Sequence, residues 1–596
     1  MRKRVWFRPL VSLAAIATTV SMAACDISSR AGSQLGASGS ASPSASSSAP
    51  GASGSASLSP TESTPGASGS ASASPTDSMP GTSDPASPSP TGSVAPAQGQ
   101  PGVPVKPISE HETWPAPEGR NRDRQLDYKG NGNPTVELPA ALGDNLAAYT
   151  RQQLTWEKCG EAECATAKVP LDWENPGRAS LDIALTRKPS ANPTMGPLFF
   201  NNGGPGGSPR SVVQGMPADT VPGYDLVGWD PRGVGESTHV QCGTTEQTDA
   251  AWLGDDTPDD EAEKTALREG WAAYARQCRD ASGELLDHLS TIENVRDLDL
   301  LRYLLGAEKL NYFGWSYGTF VGATYAELFP ERSGRLVLDS AVNISEPTYS
   351  LLSVDGFEKA LQHFADWCAG DSSCSLGDDR DAVMNRIDTF LKGLDTNPVD
   401  VGERKLTQTA ATYGLGAALY GDATTYPELA TALQEAMGGD GAKLLAYFDM
   451  MVGRKADGWS TFMHAFSAIS CVDRPDLGFD AAEEDLAAHA AEAPVFTANR
   501  GVFSVCEPWT ADSAPDLKLT GKGAGPILVV SSAVDPVTPH DYAEGMSKQL
   551  ESASLLTWKG EGHGVALTGK SECATEAVVK FLTTGEAPAD GASCPA

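Results

Sequence analysis

Short apolar segments that alternate with helical segments constrain the fold of this chain more than any other feature of its sequence. Strand-like patterns occupy 181–186, 196–200, 224–229, 310–313 and 335–339, and they return at 526–530 and 554–558. Helical patterns at 295–305 and 319–328 lie between some of these strands. Apolar strands that alternate with helices predict the α/β class, with a mainly parallel sheet covered by helices on both faces.

A long helical region interrupts this alternation. Between the strands at 335–339 and 526–530, the sequence predicts helices at 356–370, 381–394, 408–420, 427–438, 441–453 and 480–492. Such a segment is too long to be a simple connection between two strands. We therefore predict a sheet domain in two parts, 105–344 and 511–596, with a helical cap domain inserted at 345–510.

The pentapeptide Gly314-Trp315-Ser316-Tyr317-Gly318 stands directly between a predicted strand and a predicted helix. A G-x-S-x-G match alone is weak, because glycine and serine are common in this chain. Its position, however, is that of a nucleophile elbow, where glycines permit a sharp turn that exposes the serine hydroxyl above the sheet. The N-terminus of the following helix then faces any negative charge that develops there. Ser316 is the predicted nucleophile.

A serine hydroxyl needs a base to become a good nucleophile, and after such an elbow the acid and then the histidine follow along the chain. His563 lies in a glycine-rich turn just after the last predicted strand, and Asp535 follows the strand before it. We predict that these residues complete a Ser-His-Asp triad. The alternatives are an acid at the end of an earlier strand and four other histidines: Asp339, His363, His464, His489 and His540.

Acyl transfer also requires hydrogen-bond donors for the oxyanion. The segment Asn202-Gly203-Gly204-Pro205-Gly206 follows the strand at 196–200. In a fold with such an elbow, the loop at this position supplies one backbone N–H to the oxyanion hole. We predict that the oxyanion hole consists of the backbone N–H groups of Gly204 and Tyr317. The alternative is a tight glycine turn without a catalytic role.

From about 150 to 596 the chain resembles the secreted tripeptidyl aminopeptidase and proline iminopeptidase group of α/β-hydrolase serine peptidases. The resemblance rests on five motifs: Gly203-Gly-Pro-Gly-Gly-Ser208, Asp230-Pro-Arg-Gly-Val-Gly-Glu-Ser237, Gly314-Trp-Ser-Tyr-Gly-Thr319, Asp535-Pro-Val-Thr-Pro539 and Gly562-His-Gly564. It implies the α/β-hydrolase fold, a tripeptidyl-aminopeptidase-like (TAP-like) C-terminal region within 511–596, and release of short peptides, often tripeptides, from free N-termini. The group's commoner His-Gly-Gly-Pro is Asn-Gly-Gly-Pro here, which leaves the backbone donors in place.

The resemblance also implies that carboxylates from the cap bind the α-ammonium group of the substrate. Asp473 is the first candidate and Glu507 the second, because a Cys471–Cys506 bond would bring them into one neighbourhood. Both remain open to the simpler interpretation of ordinary loop acids. Thr538, three residues after Asp535, is expected to steady the acid loop or to line the pocket.

Eleven cysteines are present, and without Cys25 an even number remains, which is typical of disulfides in an exported protein. Other pairings are open, but pairing neighbours along the chain predicts Cys159–Cys164, Cys242–Cys278, Cys368–Cys374, Cys471–Cys506 and Cys573–Cys594. The sequence contains neither a C-x-x-C motif nor a Cys/His cluster with zinc spacing. We expect neither a metal nor a cofactor.

The N-terminal segment has the pattern of a signal peptide at 1–24, with basic residues followed by an apolar run at 11–24. The run ends in Ser21-Met-Ala-Ala-Cys25, which resembles a bacterial lipobox, so Cys25 is the predicted lipidation site. Plain cleavage and secretion is the alternative. Residues 25–104 are rich in Ser, Ala, Gly and Pro and predict a disordered tether. We expect an exported protein on the outer face of the bacterial cytoplasmic membrane, or a secreted one.

The net charge limits the classes of molecule that this chain is expected to bind. The formal net charge of −33 argues against nucleic acid and anionic lipid as ligands. We expect peptide substrates with a free N-terminus, membrane contact only through the lipid anchor, and a monomer. Two other functions remain open: a carboxylesterase with the same triad, and a surface binding protein on a hydrolase scaffold. The second would be expected to lack a triad residue.

Overall fold

The structure is a computed structural model that describes residues 134–345, 353–474 and 478–596. The predicted signal peptide, Cys25 and the tether at 25–104 lie outside the described residues. Within those residues, no helix is both long enough and apolar enough to cross a membrane.

The described residues form strands β1 (Glu157–Cys159), β2 (Ala162–Pro170), β3 (Ser180–Lys188), β4 (Gly196–Asn201), β5 (Tyr224–Trp229), β6 (Leu310–Trp315), β7 (Ser333–Asp339), β8 (Val399–Val401), β9 (Arg404–Leu406), β10 (Arg454–Lys455), β11 (Gly458–Trp459), β12 (Ile527–Val534), β13 (Ala553–Glu561) and β14 (Ala592–Cys594). Ten of them make one sheet in the order β1-β2-β3-β5-β4-β6-β7-β12-β13-β14. Pairing is parallel from β5 onward in this order and antiparallel among β1, β2, β3 and β5. The predicted α/β class with a mainly parallel sheet is confirmed.

The α-helices are α1 (Leu146–Thr150), α2 (Pro209–Gly215), α3 (Thr245–Trp252), α4 (Glu261–Ser282), α5 (Thr291–Leu304), α6 (Tyr317–Leu328), α7 (Val354–Gly370), α8 (Arg380–Thr396), α9 (Gln408–Ala418), α10 (Tyr426–Met437), α11 (Ala442–Val452), α12 (Phe462–Asp473), α13 (Phe479–His489), α14 (Pro494–Asn499), α15 (His540–Gln549) and α16 (Glu572–Thr584). Helices α7 to α14 all lie between β7 and β12, in the region that the sequence assigns to the cap. The short hairpins β8-β9 and β10-β11 lie there too.

Alternate residues of the central strands face two separate apolar cores. In β4, Phe199 belongs to one core, whereas Leu198 and Phe200 belong to the other. Helices α2 and α16 contribute Val213 and Phe581 to the second core, while α5, α6 and α15 pack in the first. This alternation follows from the period of two in a strand, and it buries both faces of the sheet.

Two helices of the inserted region were not expected from the sequence. Helix α12 is buried on nearly all sides, from Met463 to Val472. Helix α14 is only six residues long. The interpretation of Asp473 as a loop acid is therefore wrong in one respect, because Asp473 is the last residue of α12.

Five disulfides are formed in the structure, each between cysteines that are neighbours along the chain: Cys159–Cys164, Cys242–Cys278, Cys368–Cys374, Cys471–Cys506 and Cys573–Cys594. The fourth joins the end of α12 to the segment that leads toward β12. It therefore holds the last part of the inserted region beside Asp473.

Candidate active site

Ser316 occupies the turn between β6 and α6, with φ of 57° and ψ of −128°. Few residues other than glycine adopt a positive φ, and such strain is typical of functional turns. The turn is fixed to the end of β7, because the Ser316 N–H donates to the carbonyl of Asp339 at 2.9 Å. A Cβ atom on Gly314 would lie 2.4 Å from the carbonyl oxygen of Gly318, so glycine is required there. These are the features of a nucleophile elbow.

The glycine loop after β4 packs directly against this elbow. A Cβ atom on Gly203 would lie 2.8 Å from the Cβ of Ser316 and 3.2 Å from the backbone nitrogen of Tyr317. The loop that carries Gly204 therefore runs beside the N-terminus of α6. The two residues predicted as oxyanion donors come from segments that the fold places side by side.

The predicted acid and base are in contact. Nδ1 of His563 lies 2.9 and 3.0 Å from the two carboxylate oxygens of Asp535. The carboxylate also accepts hydrogen bonds from the N–H groups of Val537 and Thr538, both at 2.9 Å. Burial alone would raise the pKa of Asp535, but His563 and these donors hold that pKa below its usual value. Asp535 is therefore kept ionised, as an orienting acid requires.

Thr538 completes the acid loop. Its hydroxyl donates to Oδ2 of Asp535 at 3.1 Å and lies 3.3 Å from Nδ1 of His563. Of the two roles expected for Thr538, these contacts favour steadying the acid over lining the pocket.

The side chain of Asp339, the alternative acid, binds backbone N–H groups of the turn that carries His563. Its carboxylate accepts hydrogen bonds from the N–H groups of Val565, at 3.1 Å, and Ala566, at 2.7 Å. The next residue, Ser340, accepts a hydrogen bond from the Gly564 N–H at 2.8 Å. Burial raises the pKa of Asp339 to about 7. Because the Asp339 carbonyl also binds the N–H of Ser316, one segment supports both the elbow and the histidine turn.

The other four histidines after Ser316 have partners of their own: Glu561 for His363, Thr248 for His464, Asp355 for His489 and Ser531 for His540. His464 is buried in α12, and burial lowers its pKa to about 4. In the three described ranges, no group of three or more His, Cys, Asp or Glu side chains is arranged to hold a metal ion.

A cavity that is open to solvent begins beside the elbow; its lining residues are Pro205, Tyr317, Phe320, Val342, Ser470, Asp473 and Arg474. A second cavity shares Phe320, Asp473 and Arg474 with the first and extends to residues 514–517. The two cavities thus lead from the glycine loop and the start of α6 to the end of α12.

Asp473 is partly buried at this junction. Its oxygens accept hydrogen bonds from the N–H of Thr291 at 2.7 Å and from the hydroxyl of Thr291 at 2.6 Å. The same threonine hydroxyl is hydrogen-bonded to the phenol of Tyr317, the residue after the nucleophile. Burial raises the pKa of Asp473 to about 7. No motif marks Thr291 in the sequence, because its partners lie 26 and 182 positions away.

Glu507, the second candidate acid, binds the start of a helix rather than lining the cavities. One of its oxygens accepts a hydrogen bond from the N–H of Phe479 at 2.7 Å, at the start of α13, and another from Ser504 at 3.2 Å. Arg268 lies 3.8 Å from its other oxygen. The Cys471–Cys506 bond brings the two chain segments together, but of the two candidate acids Asp473 lines the cavities and Glu507 caps a helix.

Comparisons with known proteins identify relatives of this chain. A family model described as "TAP-like protein" matches residues 493–594. A tripeptidyl aminopeptidase of Streptomyces lividans is 30% identical, over 80% of this chain and 91% of that protein. Serine protease Hip1 of Mycobacterium tuberculosis is 31% identical, over 74% of this chain and 91% of that protein. Carboxylesterase B of the same organism is 32% identical, over 77% of this chain and 93% of that protein.

Proposed function

This chain belongs to the tripeptidyl aminopeptidase family of α/β-hydrolases and is a serine hydrolase, and from that premise we propose that it releases short peptides, chiefly tripeptides, from free N-termini. The observation that carries the proposal is the position of Asp473. A partly buried carboxylate lines the cavity that begins at Tyr317. We therefore expect one peptide substrate to present its scissile carbonyl to Ser316 and its ammonium group to Asp473.

In the proposed reaction, the Ser316 hydroxyl attacks the carbonyl of the scissile peptide bond while His563 takes its proton. The backbone N–H groups of Gly204 and Tyr317 stabilise the oxyanion. His563 then gives the proton to the leaving amine, the C–N bond breaks, and an acyl-enzyme remains on Ser316. Water, activated by the same histidine, hydrolyses this ester. Asp535 keeps the imidazole oriented and stabilises its charged form throughout.

The charge of Asp473 supports its proposed role as the amine anchor. Desolvation disfavours the ionised form of this partly buried carboxyl and raises its pKa, and an arriving ammonium group would offset that cost. The two hydrogen bonds from Thr291 hold the carboxylate in one orientation. An N-blocked substrate has no charge to place there, so we expect a preference for free N-termini.

Active-site labelling tests the proposal. The purified protein should react with a fluorophosphonate probe and cleave a tripeptide anilide, and Ser316→Ala should abolish both activities. Ser375→Ala, which changes an exposed serine in the inserted region, is the matched control and should keep both. Labelling that persists in Ser316→Ala, or equal cleavage of free and N-acetylated tripeptide anilides by the unchanged protein, would reject the proposal.

A carboxylesterase is the second candidate, favoured by the 32% identity to the relative named carboxylesterase B. An ester substrate would use the same nucleophile, base and oxyanion hole, since both reactions pass through an acyl-enzyme. The ratio of kcat/KM for a free tripeptide anilide to that for a short acyl ester separates the two. A strong preference for the ester, unaffected by Asp473→Asn, would establish the esterase.

We also propose that the protein is exported and anchored by a lipid on Cys25. The signal-peptide pattern at 1–24 supports this, and so do the five disulfides of the described residues, which persist in oxidising surroundings. Cys25→Ser should release the protein from cell membranes and abolish incorporation of labelled fatty acid. Retention of the label in that variant would refute lipidation at this site.

A further inference from the structure

The backbone of His563 is bound on both sides by groups that the triad does not use. Its N–H donates to the carbonyl of Tyr420 at 3.0 Å. Its own carbonyl accepts a hydrogen bond from Nζ of Lys570 at 2.6 Å, and the same Nζ donates to the Tyr420 carbonyl at 3.2 Å. We refer to Lys570, His563 and Tyr420 as the lysine clamp.

The lysine clamp joins the two parts of the fold. Tyr420 follows α9 in the inserted region, whereas His563 and Lys570 belong to the segment between β13 and α16. The ring of Tyr420 also meets the imidazole of His563 edge-on, with 5.4 Å between the ring centroids and an angle of 79°. The position of Tyr420 in the inserted region therefore affects the position of the His563 imidazole.

The fit around the ammonium group is close. A Cβ atom on Gly562 would lie 2.9 Å from Nζ of Lys570 and 2.4 Å from the carbonyl oxygen of Gly421. Burial lowers the pKa of Lys570, and the carboxylates of Asp535, Asp422 and Asp339 oppose that shift. Each of these carboxylates thus favours the charged form of the lysine, which can donate to two carbonyls at once.

We propose that Lys570 is a positioning residue, which holds the turn of the catalytic base against the inserted region through the carbonyls of His563 and Tyr420. This inference rests on the proposed role of His563 as the base. Without the ammonium group, the carbonyls of His563 and Tyr420 lose a charged donor, and the backbone bond from the His563 N–H to Tyr420 is left to tie the turn to the inserted region. Asp339 and Ser340 still hold the residues after His563 from the side of the sheet. Small displacements of a catalytic group are costly, since about 1 Å of misplacement can reduce the rate by roughly a hundredfold.

Lys570→Met tests the proposal, with Lys559→Met as the matched control. Lys559 is exposed on β13, four positions before His563, so its loss removes the same charge nearby without touching the turn. For Lys570→Met we expect kcat per titrated active site to fall roughly 10- to 100-fold with KM little changed. Lys570→Gln, which retains a neutral donor, should fall between that variant and the unchanged protein.

Titration with a fluorophosphonate keeps the test decisive if Lys570→Met is less stable, because unfolding lowers the number of active sites but not the rate of each. An unchanged kcat per site overturns the proposal, whatever the melting temperature. A rise in KM at constant kcat also overturns it, since that would place Lys570 in substrate binding.

A double-variant cycle tests the link to the inserted region. If the lysine clamp acts as a unit, adding Tyr420→Ala to Lys570→Met should cost less than the product of the two separate losses. Independent losses that multiply would show that Tyr420 and Lys570 act separately, and they would overturn this part of the proposal.

His563→Gln distinguishes failure of this inference from failure of the proposed function. If His563→Gln retains normal turnover, the assignment of the base is wrong. If His563→Gln is inactive while Lys570→Met is normal, only the proposed role of Lys570 is refuted.

Discussion

The proposed contact between Asp473 and the substrate's ammonium group makes the preference for free N-termini depend on pH. Burial raises the pKa of Asp473 to about 7, so in the free protein its carboxyl is mainly protonated below that pH and mainly ionised above it. A peptide α-amino group, with a pKa near 8, stays charged over the acidic range. The ion pair is therefore lost as the pH falls through 7, and the preference for free N-termini should fall with it.

The size of the effect follows from the acid–base equilibrium. With a pKa of about 7, roughly three quarters of Asp473 is ionised at pH 7.5 and about 1% at pH 5. If the ion pair is worth roughly 10- to 100-fold, the ratio of kcat/KM for a free tripeptide anilide to that for its N-acetylated form should therefore fall by about 7- to 40-fold over this interval. Any effect of pH on the catalytic steps that the two substrates share cancels in the ratio.

The measurement compares the two anilides from pH 5 to pH 7.5 at constant ionic strength. Asp473→Asn should make the ratio low and independent of pH, with a loss of roughly 10- to 100-fold at pH 7.5, the worth of a charged hydrogen bond. Asp516→Asn removes an exposed carboxylate that lines the second cavity and is the control. A ratio that stays flat in the unchanged protein, or that responds to Asp516→Asn instead, would refute the assignment of Asp473.

Two other predictions concern the elbow and a disulfide. Gly203→Ala should reduce kcat about a hundredfold or more, because the new Cβ would lie 2.8 Å from the Cβ of Ser316. Gly160 also has a positive φ, but a Cβ there would meet nothing within 4 Å, so Gly160→Ala is the control and should stay active. Equal losses in the two variants would contradict this reasoning. Removing Cys471–Cys506, with a sequence separation of 35, should cost about 4 kcal/mol of unfolding free energy, against about 2 kcal/mol for Cys159–Cys164, with a separation of 5. Denaturant titration measures both costs, and equal costs would argue against the loop-entropy explanation.

The sequence pointed to the sheet and the order of the reactive segments because both leave local signals. Each parallel strand is a short apolar run, and the elbow, the acid loop and the histidine turn each follow such a run. In a parallel sheet, segments that follow strands emerge at one edge. The proximity of Asp535 and His563 could therefore be predicted from strand order alone, 28 residues apart along the chain.

The inserted region was less predictable, for a physical reason. Helix α12, which carries Asp473 at its end, was not among the predicted helices. Two acids near one disulfide looked equivalent in the sequence, yet Asp473 lines the cavities while Glu507 caps α13. The difference depends on which way each side chain points once the helices are packed, and local patterns do not encode that direction.

Chain order and glycine spacing by themselves thus determined the α/β class, the elbow at Ser316 and the likeness to an aminopeptidase family. Only the tertiary structure decided what supports those residues. Asp339 lies under both the elbow and the histidine turn, Thr291 holds Asp473, and Lys570 ties His563 to Tyr420. Each of these contacts joins segments that are unremarkable in sequence, because a hydrogen bond between distant segments depends on how the whole chain packs and leaves no local pattern.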